Sequence, residues 1–145
     1  AEEEAKRIAE EQERQRLETE QKAKEEEARK AAEIRQANIK EYSEDIFFTI
    51  GSATIRKAEA EKVKELAQWL SEHADYDVYV VGYADRKTGT EKGNLRLSQR
   101  RAEAVKAMLI KLGVEESRID FGFVGDKEQP FKSAEKNRVV ICTLI

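Results

Sequence analysis

The feature that most constrains this chain is an abrupt change of residue pattern near Tyr42. Between Glu2 and Tyr42 there is no Gly and no Pro, and the residues are mostly Glu, Lys, Arg, Gln and Ala, which favour helix. From Phe47 onward the chain is rich in Val, Ile, Leu, Phe and Tyr, so an apolar core can form only there. We therefore predict a charged helical spacer over residues 1–42 and one globular domain over residues 43–145.

The order of charges in the first segment also favours a single helix. Acidic residues precede basic residues by four positions in seven pairs, an orientation that stabilises a helix by about 0.2–0.5 kcal/mol per pair. A helix of this length extends about 60 Å, which suits a spacer between two anchored bodies. The seven pairs are Glu2–Lys6, Glu3–Arg7, Glu10–Arg14, Glu18–Lys22, Glu20–Lys24, Glu25–Arg29 and Glu26–Lys30.

The apolar seam of this helix is short. A coiled coil needs apolar residues that recur about every 3.5 positions, but the seam that begins with Ala1, Ala5 and Ile8 continues through Gln12 and Gln15. We therefore expect a solitary or weakly associating helix, for which the associated form would be a weak homodimer. An oligomeric coiled coil is the alternative.

The charge balance and the absence of apolar runs restrict the partners. Of the 30 acidic and 27 basic residues, 13 and 10 lie in residues 1–42, which leaves 17 of each for the globular part. A neutral domain lacks the basic field that binds nucleic-acid phosphates. No run of about 18 apolar residues occurs, and the chain starts at Ala1 without a signal peptide or a lipidation Cys. We expect membrane contact only through an anchor upstream of this segment.

Apolar periodicity in the second segment predicts an α/β fold with the order β-α-β-α-β-β. The expected strands are residues 46–50, 76–83, 118–124 and 138–145, and the expected helices are residues 55–73 and 94–112. The second helix should bury a stripe made of Ser98, Ala102, Val105, Leu109 and Leu112. This order is typical of two layers, in which a mixed sheet carries the helices on one face.

The sequence gives no support for an enzyme, a metal site or a cofactor. His73 is the single histidine and falls at the end of the first predicted helix of the domain, where a cation caps the negative dipole end. Cys142 is the single cysteine and lies in an apolar run, which indicates a buried thiol. Neither a zinc site nor a Cys-His pair can be assembled from these residues, and the glycines do not form a phosphate-binding loop.

Polar residues are instead concentrated at one predicted edge of the sheet. Asp85 directly follows an apolar strand, and Arg138 opens the last strand. Asn94, Leu97 and Arg101 lie at i, i+3 and i+7, which places them on one helix face. Because Arg101 adjoins the buried stripe, we expect its guanidinium to lie along the margin of the core.

If these residues converge, their side chains suit a zwitterionic ligand. Arg binds a carboxylate in a bidentate fork, and Asp85 would receive an ammonium group. The residues alone leave a second interpretation open, in which Asp85 and Arg101 form an internal salt bridge that ties a loop to a helix.

Two stretches resemble the signature of OmpA-like domains. Residues 81–85 read Val-Gly-Tyr-Ala-Asp, and residues 94–102 read Asn-Leu-Arg-Leu-Ser-Gln-Arg-Arg-Ala. In that family a strand ends in Gly-His-Thr-Asp or Gly-His-Ala-Asp, and a helix opens with Asn, Leu-Ser and Arg-Arg-Ala. Smaller pieces follow in family order up to Asn137 and Arg138, so the resemblance covers about residues 44 to 145.

The resemblance implies a non-covalent peptidoglycan binder at the periplasmic face of the outer membrane. In that family the ligand is the diaminopimelate residue of the stem peptide. Asp85 then corresponds to the residue that accepts its ammonium, and Arg101 corresponds to the residue that binds its carboxylate. Asn94 and Arg138 match further contact positions, Leu97 accompanies them on the helix, and the loop from Asp85 to Thr88 would complete the anion site.

Three departures from the family pattern predict weaker affinity or an altered stem-peptide preference. Tyr83 stands where the family has His, the interval from Asp85 to Arg101 is one residue longer, and Val139 follows Arg138 where a second Arg is usual. The leading hypothesis is a module that anchors an outer-membrane protein to the cell wall. The alternative is an assembly module that oligomerises through the helix and docks a protein partner.

Overall fold

A computed structural model describes all residues from Ala1 to Ile145. The chain divides into two compact units, Ala1–Asn38 and Ile39–Ile145. The first unit consists of most of one long helix, and the second contains the sheet and the remaining helices. No helix combines the length and the apolar character that crossing a membrane requires.

The long helix α1 spans Glu2–Tyr42 and buries none of its residues. The predicted single helix is therefore present, but its ion pairs differ from the predicted ones. Of the seven expected pairs only Glu26–Lys30 lies within ion-pair distance, at 3.8 Å. The other basic side chains that pair do so mainly with an acid three positions away, as Arg29 does with Glu26 at 2.5 Å. Residues at both spacings are neighbours on a helix surface, which makes the two patterns close competitors.

The second unit contains a four-stranded mixed sheet, which confirms the predicted two-layer α/β fold. The strand order is β1-β4-β2-β3, in which β2 and β3 are parallel and the other neighbours are antiparallel. The elements are β1 (Glu44–Phe47), α2 (Lys57–Glu72), β2 (Val78–Gly82), α3 (Glu91–Lys111), β3 (Ile119–Phe123) and β4 (Val139–Leu144). The parallel pair β2 and β3 is joined through α3, as a parallel connection requires.

Some predicted boundaries are wrong by a few residues. The first strand was expected at residues 46–50, but β1 ends at Phe47. Helix α3 begins at Glu91 and not at Asn94, because Thr90 caps it by accepting a hydrogen bond from the Gly93 amide at 3.1 Å. Leu112 was expected in the buried stripe and is 41 % exposed, since it follows the last helical residue.

The core lies between the sheet and the two helices. Strand residues Val78, Val80 and Leu144 are fully buried against α2 and α3, and each such side chain contributes roughly 1.5–3 kcal/mol. Cys142 is also fully buried, as predicted, and burial raises the pKa of its thiol. The outer face of β2 is only partly covered, since Tyr79 on that face is 44 % exposed.

One close approach fixes the end of β2 against α3. A Cβ atom added to Gly82 would lie 2.0 Å from the Ser98 carbonyl oxygen, so only glycine fits. The backbone that follows, from Tyr83 to Asp85, therefore leaves the sheet directly beside α3. This contact brings the loop after β2 next to the helix residues that the sequence singled out.

Candidate ligand-binding site

The loop after β2 is organised around the carboxylate of Asp85. Its Oδ1 accepts a hydrogen bond from the Thr88 amide at 2.9 Å, and its Oδ2 accepts one from the Thr88 hydroxyl at 2.8 Å. The side chain of Asp85 is 1 % exposed, whereas Thr88 is half-buried. Asp85 is therefore enclosed by its own loop and does not stand open at the loop mouth.

Asn94 fastens this loop to the first turns of α3. Its Nδ2 group donates to the Thr88 carbonyl at 2.9 Å, to the Asp85 carbonyl at 3.3 Å and to Oδ2 of Asp126 at 2.9 Å. Leu97 packs one turn further along and is 8 % exposed. The predicted shared face of Asn94, Leu97 and Arg101 exists, since all three side chains are buried.

Arg101 is fully buried, so the expectation that it lies at the core margin is wrong. Its guanidinium donates to the Ser52 carbonyl from Nε at 2.8 Å, to the Tyr83 carbonyl from Nη1 at 2.9 Å and to the Thr49 carbonyl from Nη2 at 3.1 Å. A guanidinium has five N–H groups, so one on each terminal nitrogen is left without a protein acceptor.

The electrostatic setting of Arg101 is unusual for an arginine. Burial lowers its pKa to about 10, and the nearby charge of Arg138 acts in the same direction, while Asp85 opposes both. The group stays protonated at neutral pH. No carboxylate lies within ion-pair distance of the Arg101 guanidinium. The acceptors of its three hydrogen bonds are all backbone carbonyls. The direct salt bridge between Asp85 and Arg101, which was the alternative interpretation of the sequence, is therefore absent.

Arg138, and not Arg101, forms the ion pair with Asp85. Its Nη1 lies 3.3 Å from Oδ2 of Asp85, and its Nε donates to the Phe48 carbonyl at 3.4 Å. Both distances are long for such bonds. The side chain of Arg138 is 13 % exposed. It is therefore more accessible to solvent than Asp85 and Arg101.

An open cavity of about 680 Å³ adjoins this cluster. Arg138 and Thr49 form part of its wall, and Arg56, Glu59 and Lys136 contribute further charges. The carbonyl of Thr49 is bonded to Arg101 behind that wall. The structure thus brings Asp85, Arg101 and Arg138 close together. Of these three residues only Arg138 lines the cavity, because Asp85 and Arg101 are enclosed.

Some residues that build the site carried no sequence signal. The carbonyl groups of Thr49 and Ser52 hold Arg101, yet every residue has a carbonyl, so residue type does not reveal this role. Gln129 connects the loop after β2 to the loop after β3, through the Arg86 amide at 3.1 Å and the Ala84 carbonyl at 2.9 Å. Only the tertiary fold brings these loops together.

Two residues considered for chemistry have structural surroundings. His73 is the C-cap residue of α2, as predicted, and its ring stacks on Trp69 with 3.8 Å between centroids. Tyr83 is half-buried, and burial raises the pKa of its phenol, as does the charge of Glu128. No group of three His, Cys, Asp or Glu residues is placed to hold a metal ion.

The fold and this buried charge cluster define a two-layer α/β domain with a small polar site at one end. The same fold occurs in the peptidoglycan-associated lipoprotein from Burkholderia pseudomallei, with a TM-score of 0.65 at 24 % identity over 70 % of this chain and 89 % of that one. It also occurs in the C-terminal domain of Helicobacter pylori MotB, with a TM-score of 0.64 at 21 % identity over 70 % of this chain and 84 % of that one.

Sequence comparison then gives the family. The OmpA family matches residues 47–140, so the chain belongs to that family, as the motifs predicted. It is 40 % identical over 98 residues to outer membrane protein 40 of Porphyromonas gingivalis, which is 68 % of this chain and 26 % of that protein. It is 35 % identical over 105 residues to the peptidoglycan-associated lipoprotein of Mesorhizobium japonicum, which is 68 % of this chain and 61 % of that protein. The chain thus spans only part of the length of these relatives.

Proposed function

We propose that residues 43–145 bind peptidoglycan non-covalently through the diaminopimelate residue of its stem peptide. Relatives that include peptidoglycan-associated lipoproteins support the general class of ligand. The observation that carries the finer proposal is the buried cluster of one carboxylate, Asp85, with two guanidiniums, Arg101 and Arg138. Such a cluster has an uncompensated positive charge and offers both an acceptor for an ammonium and donors for a carboxylate.

The free end of diaminopimelate carries one ammonium and one carboxylate, which are complementary to the Asp85 carboxylate and to the guanidiniums of the cluster. Its carboxylate would accept hydrogen bonds from the two unused N–H groups of Arg101. These groups lie on different nitrogens, as bidentate binding requires. Its ammonium would donate to Asp85, which uses three of about four acceptor positions for Thr88 and Arg138.

Binding at this cluster requires a local rearrangement, because Asp85 and Arg101 are both enclosed. The contact from Arg138, at 3.3 Å, is the longest of the three hydrogen bonds that the Asp85 carboxylate accepts. We expect Arg138 to leave Asp85 when the ammonium arrives and to turn toward the ligand carboxylate. Thr88 would move with its loop, while Asn94 keeps the loop attached to α3 and Leu97 supports that helix turn.

In the cell, this binding would anchor an outer-membrane protein to the wall. We place the domain at the periplasmic face of the outer membrane, joined to an upstream anchor through α1. The 41 residues of α1 would extend about 60 Å. Modest affinity per domain is sufficient, since tethering and many copies raise the effective concentration. In this proposal the domain holds its ligand and catalyses no reaction.

The test compares Asp85→Asn with wild type, because this change removes the charge and keeps the side-chain shape. We expect Asp85→Asn to weaken diaminopimelate binding about 10-fold or more, since it removes a charge-assisted hydrogen bond. Calorimetric titration and co-sedimentation with purified sacculi both measure the effect.

The matched control is Asp120→Asn, which removes an exposed carboxylate from β3. This variant should bind as wild type does, and circular dichroism should show all three proteins folded. If Asp85→Asn and wild type co-sediment equally with sacculi, the assignment of the ligand to Asp85 is wrong.

A further inference from the structure

A second hollow is lined by residues of the loop after β2 and of the segment between β3 and β4. It has a volume of about 190 Å³, and three cationic side chains line it, namely Arg86, Lys87 and Lys132. No carboxylate lines this cationic hollow. The larger cavity differs in this respect, because Glu59 and Glu135 accompany its basic residues.

The three cations of the hollow have no acidic partner within ion-pair distance. Arg86 donates only to backbone, from Nη2 to the Asp126 carbonyl at 3.0 Å and to the Lys127 carbonyl at 3.2 Å. Lys87 and Lys132 are exposed and take part in no salt bridge. Like charges that are brought together repel each other, so an anion that enters the hollow would be attracted to all three.

The hollow is held in shape by buried hydrogen bonds. Asn137 is 3 % exposed and bonds the Phe131 backbone in both directions, accepting from its amide at 2.8 Å and donating to its carbonyl at 2.9 Å. Gln129 also lines the hollow, and its side-chain oxygen accepts a hydrogen bond from the Arg86 amide at 3.1 Å. A preformed cationic hollow binds an anion with little ordering cost.

The hollow is also continuous along the chain with the cluster described above. Arg86 directly follows Asp85, and Asn137 directly precedes Arg138, so neighbouring Cα atoms on both walls are about 3.8 Å apart. A peptide that places an ammonium at Asp85 would therefore bring its adjacent residue close to Arg86 and Lys87.

We infer that the cationic hollow is a second anion subsite, which binds a carboxylate of the residue next to diaminopimelate in the same stem peptide. This inference rests on the proposed function. Two carboxylates have the required position, one on the γ-linked glutamyl residue and one at the C-terminus of the D-alanine that follows. Lysine ammoniums and the unused nitrogens of Arg86 can bind either group.

The experiment uses the full chain and three synthetic tetrapeptides. The first is L-Ala-γ-D-Glu-diaminopimelyl-D-Ala, the second has isoglutamine in place of the glutamyl residue, and the third has an amidated C-terminus. Each is titrated into wild type and into the double variant Lys87→Gln/Lys132→Gln. The double variant Lys64→Gln/Lys111→Gln, which removes two exposed charges from α2 and α3, is the matched control.

We expect one amidated peptide to bind wild type about fivefold to tenfold more weakly than the first peptide. The Lys87→Gln/Lys132→Gln variant should lose a similar factor for the first peptide and show no further loss for that amidated peptide. The peptide that shows this coupling identifies which carboxylate occupies the hollow. The control variant should bind all three peptides as wild type does.

Three results would overturn the inference. Wild type could bind the three peptides equally, or the two double variants could behave alike. Alternatively, the first double variant could lose binding to phosphatidylglycerol vesicles with unchanged peptide affinity, which would assign the hollow to a lipid headgroup. Failure of the proposed function gives a different result from failure of the inference alone. Wild type would then not bind free diaminopimelate, or would bind it with the same affinity as Asp85→Asn does. In that case the inference would fail as well.

Discussion

The two units of this chain use charged residues in opposite ways. In α1 no charged residue is buried, and even paired side chains such as Lys30 and Glu26 remain 67 % and 48 % exposed. In the second unit, Asp85 and Arg101 are 1 % and 0 % exposed. Exposed pairs contribute at most about 1 kcal/mol and are screened by salt, whereas a buried charge must find partners or destabilise the fold. The surroundings of a charge, and not the number of charges, therefore decide its effect.

Arg101 has a stabilising role as well as the proposed binding role. Its three hydrogen bonds join the loop after β1, through Thr49 and Ser52, to the end of β2 at Tyr83. All three partners are neutral carbonyls, which leaves its charge available to a ligand. The same side chain can thus hold two loops in place and still attract a carboxylate.

The largest predicted effect follows from this role. We expect Arg101→Met to lower the free energy of unfolding by about 3 kcal/mol or more, because three carbonyl groups lose their buried donor. The apolar Met side chain offsets part of the loss, since it removes the need to bury a charge. Urea unfolding followed by circular dichroism measures the change.

Arg100→Met provides the control, because Arg100 is the neighbouring residue on α3 and is exposed. This variant should unfold within about 0.5 kcal/mol of wild type. Equal stability of Arg100→Met and Arg101→Met would remove the distinction drawn between buried and exposed charges.

A smaller, pH-dependent effect is predicted for Asp45 on β1. Burial raises the pKa of its carboxyl group, and the Lys62 ammonium opposes this only in part. The folded state therefore binds more protons than the unfolded state between the two pKa values, so this group's contribution to stability is lost as pH rises through the folded pKa. At neutral pH the ionised carboxylate destabilises the fold.

Asp45→Asn should accordingly stabilise the domain at pH 7. We expect only a few tenths of a kcal/mol, because solvent screens the charge of this half-buried carboxylate. The difference from wild type should vanish at acidic pH, where both side chains are neutral. Unfolding midpoints measured across this range provide the test, with Asp120→Asn as the exposed control on β3. A variant that is less stable than wild type at pH 7 would contradict the predicted sign.

The sequence was sufficient for the order of elements, because each one has a clear periodicity. The stripe Ala102, Val105 and Leu109 predicted α3, and alternating apolar residues predicted the strands. The last residues of elements were less predictable, as Leu112 shows, because caps and turns are set by single hydrogen bonds.

The candidate site was predictable in its members but not in their pairing. Residue spacing placed Asn94, Leu97 and Arg101 on one face, and the structure buries all three. The sequence could not indicate that Asp85 pairs with Arg138 and that Arg101 bonds to carbonyls, since residues about 50 positions apart meet there. Such long-range contacts depend on the sheet order β1-β4-β2-β3.

The smallest predicted effect concerns α1. Glu26→Gln removes an acid that pairs with Arg29 at 2.5 Å and with Lys30 at 3.8 Å. Because both pairs are exposed, we expect a loss of about 0.2–0.5 kcal/mol per pair in helix stability, which high salt should abolish. Far-ultraviolet circular dichroism of a peptide that spans residues 1–42 measures it.

The unfolding midpoint of the domain in the full chain should stay unchanged in Glu26→Gln, because Glu26 lies in the first unit, Ala1–Asn38, whereas the core belongs to Ile39–Ile145. The last turn of α1 belongs to the second unit, where Tyr42 stacks on Trp69 with centroids 5.1 Å apart. A shift of the domain midpoint would therefore mean that loss of helix spreads through this stacked pair into the core, and that the two units unfold together.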